Sequence, residues 1–556
     1  VVQKGATNVA PEDVLARVFR AATAMTESTA PAGSPPPGIG RRLAAGIGAQ
    51  GLSNIVVIVG QLASVPVFLT AWGPGLYADW LVLASVAGLL ALGDCGLHGF
   101  LSNALRAAWA RGDEAAGRRI LQSGLGAYAV LTGCLAAAVV AAVALDAPAL
   151  LRLSTPENAG ATLLLLALAV VVLLPRGLVA TVHSARGRFH REVMGITLTY
   201  GAQIGAGILT ALAGGSPLHA AAAQLAAAVV VGWGVLLREL RCDYGHVSLR
   251  PLPPTRAELR LLARKAPLYA VDQGSVVIVV NAPVILLGWL APAAAVVTFT
   301  TVRTFTGLVR QTARQAATAL GLEMARMHAC GDRAGAGRLY AAGGPVVGCA
   351  VALLAAAAWG AGPAVFRLWT HGAMPFDPVT GAAFLAGALI QVPAYGAAGL
   401  LRLVDRPESV ATAQAAETAA IILLGLLLIP RGGAAGAALA VTLAEAVASM
   451  PLHLRAAGRL LGQSTLRLAL RSYAVAALAL VLAMLAFIAS SRVAPPDGIF
   501  GLALFMAAWT AVAIPALIGA LFIGHRVWVR ERLERMLCRV RWPGRAILPG
   551  GRHARR

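Results

Sequence analysis

Long apolar runs alternate with short polar connections over most of the chain. Fourteen stretches of mostly apolar residues run over approximately 43–70, 76–101, 120–145, 158–182, 192–214, 217–238, 267–290, 293–322, 339–363, 378–403, 408–430, 433–453, 470–490 and 499–525. A spanning helix needs about 20 such residues. The pattern therefore predicts an all-α polytopic membrane protein with about 14 transmembrane helices. Several runs are rich in Ala and Gly, which suits close helix packing in lipid. Residues 1–40 break the pattern. They are polar, carry PAGSPPPG at 31–38, and read as a disordered cytoplasmic tail with at most a short amphipathic stretch at about 11–22. No basic segment followed by an apolar one marks a cleavable signal peptide. Met25 is a candidate alternative start.

An internal repeat organises the runs. ARGDEAAGRR at 110–119 returns as ACGDRAGAGR at 329–338, 219 residues later. The same shift lays the first six runs on runs seven to twelve and brings Pro175 within one residue of Pro393. Six crossings is an even number, so the two copies enter the membrane in the same sense. The expected architecture is two six-helix lobes in parallel pseudo-repeat plus two C-terminal helices. Its boundaries are a tail at 1–40, an N-lobe at 41–240, a cytoplasmic linker at 241–266, a C-lobe at 267–455, two added spans at 456–525, and a basic cytoplasmic tail at 526–556.

Composition sharpens this picture. Of 556 residues, 58% are hydrophobic and 13% charged, and the mean hydropathy is +0.74. Soluble chains carry about 25% charge, so a soluble enzyme is disfavoured. The charge is lopsided, 46 Lys+Arg against 24 Asp+Glu, net +22. Thirty-eight basic residues lie on one set of connections and the two tails. Four, Arg152, Arg367, Arg431 and Arg492, lie on the opposite set. The positive-inside rule then puts both termini in the cytoplasm. The basic residues are spread between apolar runs, so nucleic acid is not an expected partner.

Only Lys4 and Lys265 are lysine, and neither closes a phosphate-binding P-loop. The six cysteines make no CxxC and read as free thiols. Gly46, Gly48 and Gly51 fit GxGxxG but open the first apolar run, where they read as packing glycines. HExxH and GxSxG are absent. No metal, cofactor or catalytic residue is expected. The outer connections are all shorter than about 20 residues, which disfavours an external catalytic domain.

Residues 71–119 resemble the second span of the polysaccharide-biosynthesis flippases. These are the O-antigen and capsule repeat-unit translocases of the multidrug/oligosaccharidyl-lipid/polysaccharide exporter superfamily. The resemblance rests on Gly73, Tyr77 and Trp80, on Asp94-Cys95-Gly96-Leu97, on Asn103, and on Gly112-Asp113. Only Gly331-Asp332 matches clearly in the second half. Asp79 departs from the pattern, standing where the family has a small or neutral residue. The resemblance implies a bacterial inner-membrane flippase for a polyprenyl-pyrophosphate-linked oligosaccharide, working by alternating access in surface polysaccharide export. It also implies a polymerase and glycosyltransferases as neighbours in the pathway.

Four arginines lie inside apolar runs. Arg303, Arg310 and Arg314 share the eighth, at spacings that put them within about 40° on one helix face. Arg303 is about 15 Å deep. A charge at mid-bilayer costs about 2.5–3.5 kcal/mol on insertion scales, so such a stripe faces protein or water, or snorkels to headgroups. Guanidinium forks match phosphate oxygens. Together with Arg176 of the fourth run, these are the candidate pyrophosphate-binding residues.

Four acids are candidates for ion coupling: Glu417, Glu445, Asp94 and Asp272. Glu417 and Glu445 lie mid-run on neighbouring segments, where close carboxylates hold a proton or cation. Each could equally pair with a neighbour or face a wet crevice. Asp94 and His98 stand four residues apart, as a relay or a helix-end device. Asp272 reads as a partner for an eighth-run arginine. The Asn281 and Gln391 amides suit sugar hydroxyls or helix–helix bonds. The ten arginines of 526–556 suit anionic inner-leaflet lipid. The competing readings are a lipid II flippase, a drug/cation antiporter of the same superfamily, a membrane glycosyltransferase or polymerase, and a non-catalytic assembly scaffold.

Overall fold

A computed structural model describes residues 39–245, 247–404, 407–462, 464–493 and 499–540. The tail at 1–38, with Met25 and the 11–22 stretch, and residues 541–556 lie outside the described residues. All regular structure among the described residues is helical: α1 (Ile39–Leu89), α2 (Leu97–Ala110), α3 (Glu114–Ala144), α4 (Ala159–Ala185), α5 (Phe189–Leu212), α6 (Pro217–Ala227), α7 (Gly234–Tyr244), α8 (Arg256–Leu290), α9 (Ala293–Ala329), α10 (Arg333–Trp369), α11 (Pro378–Ile390), α12 (Val392–Leu403), α13 (Pro407–Ala444), α14 (Met450–Leu461), α15 (Thr465–Val493) and α16 (Ile499–Val540), with short 3₁₀ and π turns between some of them. The protein is an all-α polytopic membrane protein, as its apolar pattern predicts. Ten described helices are long and apolar enough to cross a membrane, or eleven when α11 and α12, bent by 56°, count as one.

The breaks have local causes. α1 bends at Gly73, whose φ of 73° and ψ of 170° are not helical, and α13 bends at Gly433. The α11–α12 break falls at Gln391, and Pro393 follows it. Where a helix breaks inside an apolar region, its open carbonyls need donors from other helices. Tyr473 donates to Ile390 O at 2.6 Å, and Tyr340 donates to Pro393 O at 2.7 Å.

The two copies of the repeated loop fold alike. In the first, Gly112 has φ 76°, Gly112 N donates to Trp109 O, Asp113 N donates to Ala108 O, and the Asp113 carboxylate accepts from Ala116 N at 2.9 Å. In the second, Gly331 has φ 79°, Gly331 N donates to His328 O, Asp332 N donates to Met327 O, and the Asp332 carboxylate accepts from Gly335 N at 2.7 Å. In each loop the glycine supplies a left-handed turn after one helix, and the aspartate caps the next.

The chain divides into two compact units. One comprises the described residues of Val1–Leu308, Val365–Gly387 and Pro407–Ser449. The other comprises those of Val309–Ala364, Ala388–Arg406 and Met450–Arg556. The first unit's core includes an aromatic cluster in which Phe68 stacks on Trp72 at 4.6 Å, with Tyr77 and Trp80 beside them. The Trp72 indole donates to Gly215 O at 2.9 Å, and Trp369 donates to Leu62 O at 2.7 Å. The second unit packs small residues against one another. Cys349, Leu353 and Ala356 meet Ala476, Ala483 and Ala513, and Trp509 donates to Leu353 O at 2.9 Å.

Candidate functional site

α9 positions the arginine stripe. It is absent from the ten helices that are apolar enough to span, and it carries Arg303, Arg310 and Arg314. Arg303 belongs to the first unit, and Arg310 and Arg314 to the second. Arg303 is half-buried. Its Nη1 donates to Val280 O on α8 at 2.8 Å, and its guanidinium lies 5.1 Å from the centre of the Phe299 ring, one turn back. Pro283, three residues on from Val280, has no N–H for Val279 O. Arg310 is half-buried and Arg314 exposed.

Arg176 has a different setting. It is buried, and its Nε and Nη2 donate to Gly232 O and Gly195 O, both at 2.8 Å. Gly232 lies in the π turn Ala228–Trp233, where wider winding leaves carbonyls poorly matched to the ladder. The guanidinium thus ties α4 to α5 and to the π turn. It does not join the α9 stripe in presenting a fork.

The acids are also distributed. Asp94 is buried; its Oδ1 accepts from Tyr128 OH at 2.5 Å and its Oδ2 from His98 N at 3.1 Å. It therefore holds the start of α2, while Cys95 and Gly96 make left-handed turns at φ 49° and 77°. His98 Nδ1 lies 3.3 Å from Ser102 Oγ, and Ser102 Oγ lies 2.9 Å from Thr181 Oγ1 on α4. Glu417 is half-buried on the first arm of α13. Glu445 is buried just beyond the second arm, where it opens the π turn Glu445–Ser449. Such π turns are frequent at functional sites. The side chain of Asp272 lies outside the described residues. Asn281 donates to Val277 O of its own helix at 2.8 Å, and Gln391 is buried at the α11–α12 break.

Several polar arrangements carried no residue-type signal in the sequence. Asp79, the departure from the resemblance, is buried and accepts from Ser154 N at 2.9 Å, Thr155 N at 2.8 Å and Thr155 Oγ1 at 2.7 Å. It anchors the α3–α4 connection beside a cleft of about 320 Å³ that Arg152, Ser154 and Trp289 also line. At the opposite ends of these helices, Arg106 bonds Ser184 and Glu192 at 3.0 and 3.2 Å. Arg186 takes Glu114 with both terminal nitrogens at 2.5 and 2.7 Å and lies 4.5 Å over Trp109. Arg188 and Arg191 share Asp243. Part of the basic charge that reads as topology is therefore also structural pairing.

No protein-family model matches the chain, and neither does any curated protein sequence. Solved structures do match. A structure of the "lipid II flippase MurJ, inward closed conformation" superposes with a TM-score of 0.63 at 11% identity, covering 87% of this chain and 99% of that one. An inward-facing multidrug resistance MATE family transporter of the MOP superfamily gives a TM-score of 0.58 at 15% identity, covering 73% and 96%. An outward-facing transporter described in the same words gives 0.50 at 15% identity, covering 82% and 98%. The chain shares their fold.

Proposed function

We propose that this chain is a flippase that moves a polyprenyl-pyrophosphate-linked oligosaccharide across a bacterial inner membrane by alternating access. The observation that carries the reading is Arg303, a half-buried guanidinium about 15 Å along α9, in the apolar first half of that helix. A cation at that depth is retained at a cost. A pyrophosphate gives it a matched acceptor, and a second anionic group suits Arg310 and Arg314. The sugars then travel in the polar interior while the lipid tail stays in the bilayer. Translocation moves a molecule without forming a bond, so no catalytic residue is needed. The fold likeness to a flippase and to transporters supports this reading.

Fourteen crossings fit the helices. The 47-residue span Gly48–Asp94 measures about 70 Å at about 1.5 Å per residue, twice the hydrocarbon thickness of about 30 Å. The bend at Gly73 makes it two crossings. The 54-residue span Glu408–Leu461, bent at Gly433, makes two more. With α11–α12 as one crossing and α9 as another, the total is fourteen. The shared loop geometry supports the parallel repeat, and the arginine distribution supports cytoplasmic termini.

Lipid II is the second reading, favoured by the 0.63 superposition over 87% of the chain. Two complementation hosts separate them. The oligosaccharide reading predicts that the chain restores surface polysaccharide to a strain lacking its repeat-unit flippase. It also predicts no rescue of a strain depleted of its lipid II flippase. The reverse pattern would assign lipid II. Failure in both hosts, with the protein present in the membrane, would contradict both readings.

Ion coupling through Glu417 and Glu445 is testable in the same hosts. If the pair couples, Glu417→Gln combined with Glu445→Gln gives residual transport that is indifferent to collapse of the proton or sodium gradient. A double variant still slowed by collapse rules the pair out.

A further inference from the structure

The connection from α7 to α8 is strapped along α3. Leu252 N donates to Gln122 O at 3.0 Å. Gly126 lies directly beneath this segment; a Cβ there would fall 2.0 Å from Leu252 O, so only glycine lets the segment lie where it does. Arg119 grips Glu258 with Nε at 3.0 Å and Nη2 at 2.9 Å, and reaches Pro253 O at 3.4 Å. Glu258 is buried and also closes a capping box with Thr255, at 2.7 and 3.2 Å, so the ion pair fixes the first turn of α8. Just beyond that turn, α8 presses on α2. Gly96, at φ 77°, sits where a Cβ would lie 2.2 Å from Ala266 O and 2.5 Å from Ala270 N. All these residues belong to the first unit.

We propose that residues 250–258 form a latch that holds the arginine-rich ends of α3 and α8 together, and that the latch must leave α3 for that side to open. The claim rests on the transporter reading, under which that side faces the cytoplasm. Three features separate a latch from a fixed joint. The segment 250–254 reads RPLPP, and such a proline-rich run is stiff and poor in backbone donors. It can therefore lift as one piece after losing one backbone hydrogen bond. The Arg119 side chain is about one-third exposed, so water can take its place at the ion pair. Pro267, beside the Gly96 contact, removes a helical hydrogen bond from α8, which lowers the cost of bending below the latch. The two glycines allow the closed position, and Arg119–Glu258 is the part that makes and breaks.

The test uses the full chain in a cysteine-free background, reconstituted in vesicles. In the first arm, Leu262→Cys on α8, buried in the core it shares with α2 and α3, reports opening through its rate of labelling by a membrane-impermeant maleimide. Adding Arg119→Ala should raise that rate about fivefold, the response to a modest population shift. Arg119→Lys should give an intermediate rate. Gly126→Val should act in the same direction, with the unfolding midpoint as the check that it folds. In the second arm, Gln122→Cys with Leu252→Cys is joined by a short bis-maleimide. Lipid flipping should stop in the joined protein and continue in the unjoined one. Unchanged labelling in Arg119→Ala, or full flipping after joining, overturns the latch. A chain that flips nothing even when unjoined contradicts the transporter reading instead, and the labelling arm still decides the latch.

Discussion

Arg303→Ala, expressed in a strain lacking its repeat-unit flippase, is expected to abolish surface polysaccharide while the protein accumulates in the membrane at its normal level. The argument is energetic. Truncating one partner of a desolvated, hydrogen-bonded charge pair costs about 2–5 kcal/mol, a fall of about 30-fold or more in any step that needs the pair. The fold should tolerate the change, because the 2.8 Å bond from Arg303 Nη1 goes to a backbone carbonyl, Val280 O, and the side chain is half-buried. Losing a charge at that depth also relieves an insertion cost. Arg303→Lys keeps the charge but loses the planar fork, so partial transport is the expected result. Cell-surface glycan staining against an immunoblot of the membrane fraction reads both quantities. Full complementation by Arg303→Ala would remove the guanidinium from the substrate site.

Asp79→Ala should damage stability instead. The carboxylate is buried and accepts three hydrogen bonds, two from backbone N–H groups of Ser154 and Thr155 and one from the Thr155 hydroxyl. Hydrogen bonds to a charged group contribute about 1.5–3 kcal/mol each, and the donors left behind are costly only where water cannot reach them. Ser154 and Thr155 are exposed, so water recovers part of the loss. A net destabilisation of about 2–4 kcal/mol is expected. It should appear as a lower unfolding midpoint in detergent and as faster proteolysis between residues 151 and 158. Asp79→Asn keeps one acceptor oxygen and should fall between. An unchanged midpoint and cleavage pattern would show that the connection is held by something other than Asp79.

These two residues also mark what the sequence discloses. The apolar runs are legible because the bilayer demands about 20 apolar residues per crossing. Breaks at Gly73, Gln391 and Gly433 follow from residues that interrupt a helix or sit beside one that does. The arginine stripe is legible because helical period alone puts Arg303, Arg310 and Arg314 on one face. The use made of Arg176 is not. Its partners are the carbonyls of Gly232 and Gly195, and every residue has a carbonyl, so no residue type announces the contact. Asp79 is opaque for the same reason, since its partners are mainly backbone N–H groups 75 and 76 positions away. The Thr255–Glu258 spacing does announce a capping box. The grip of Arg119 on Glu258, 139 positions apart, needed the fold.

The central claim is that this chain carries a lipid-linked pyrophosphate sugar between leaflets. The most direct measurement places the purified protein in vesicles with a fluorescent polyprenyl-pyrophosphate oligosaccharide in both leaflets. An impermeant reductant then destroys the fluorescence of whatever reaches the outer leaflet. Wild-type protein should expose nearly all of the probe, and Arg303→Ala should leave the inner-leaflet half protected. Folded wild-type protein that leaves that half protected would contradict the account.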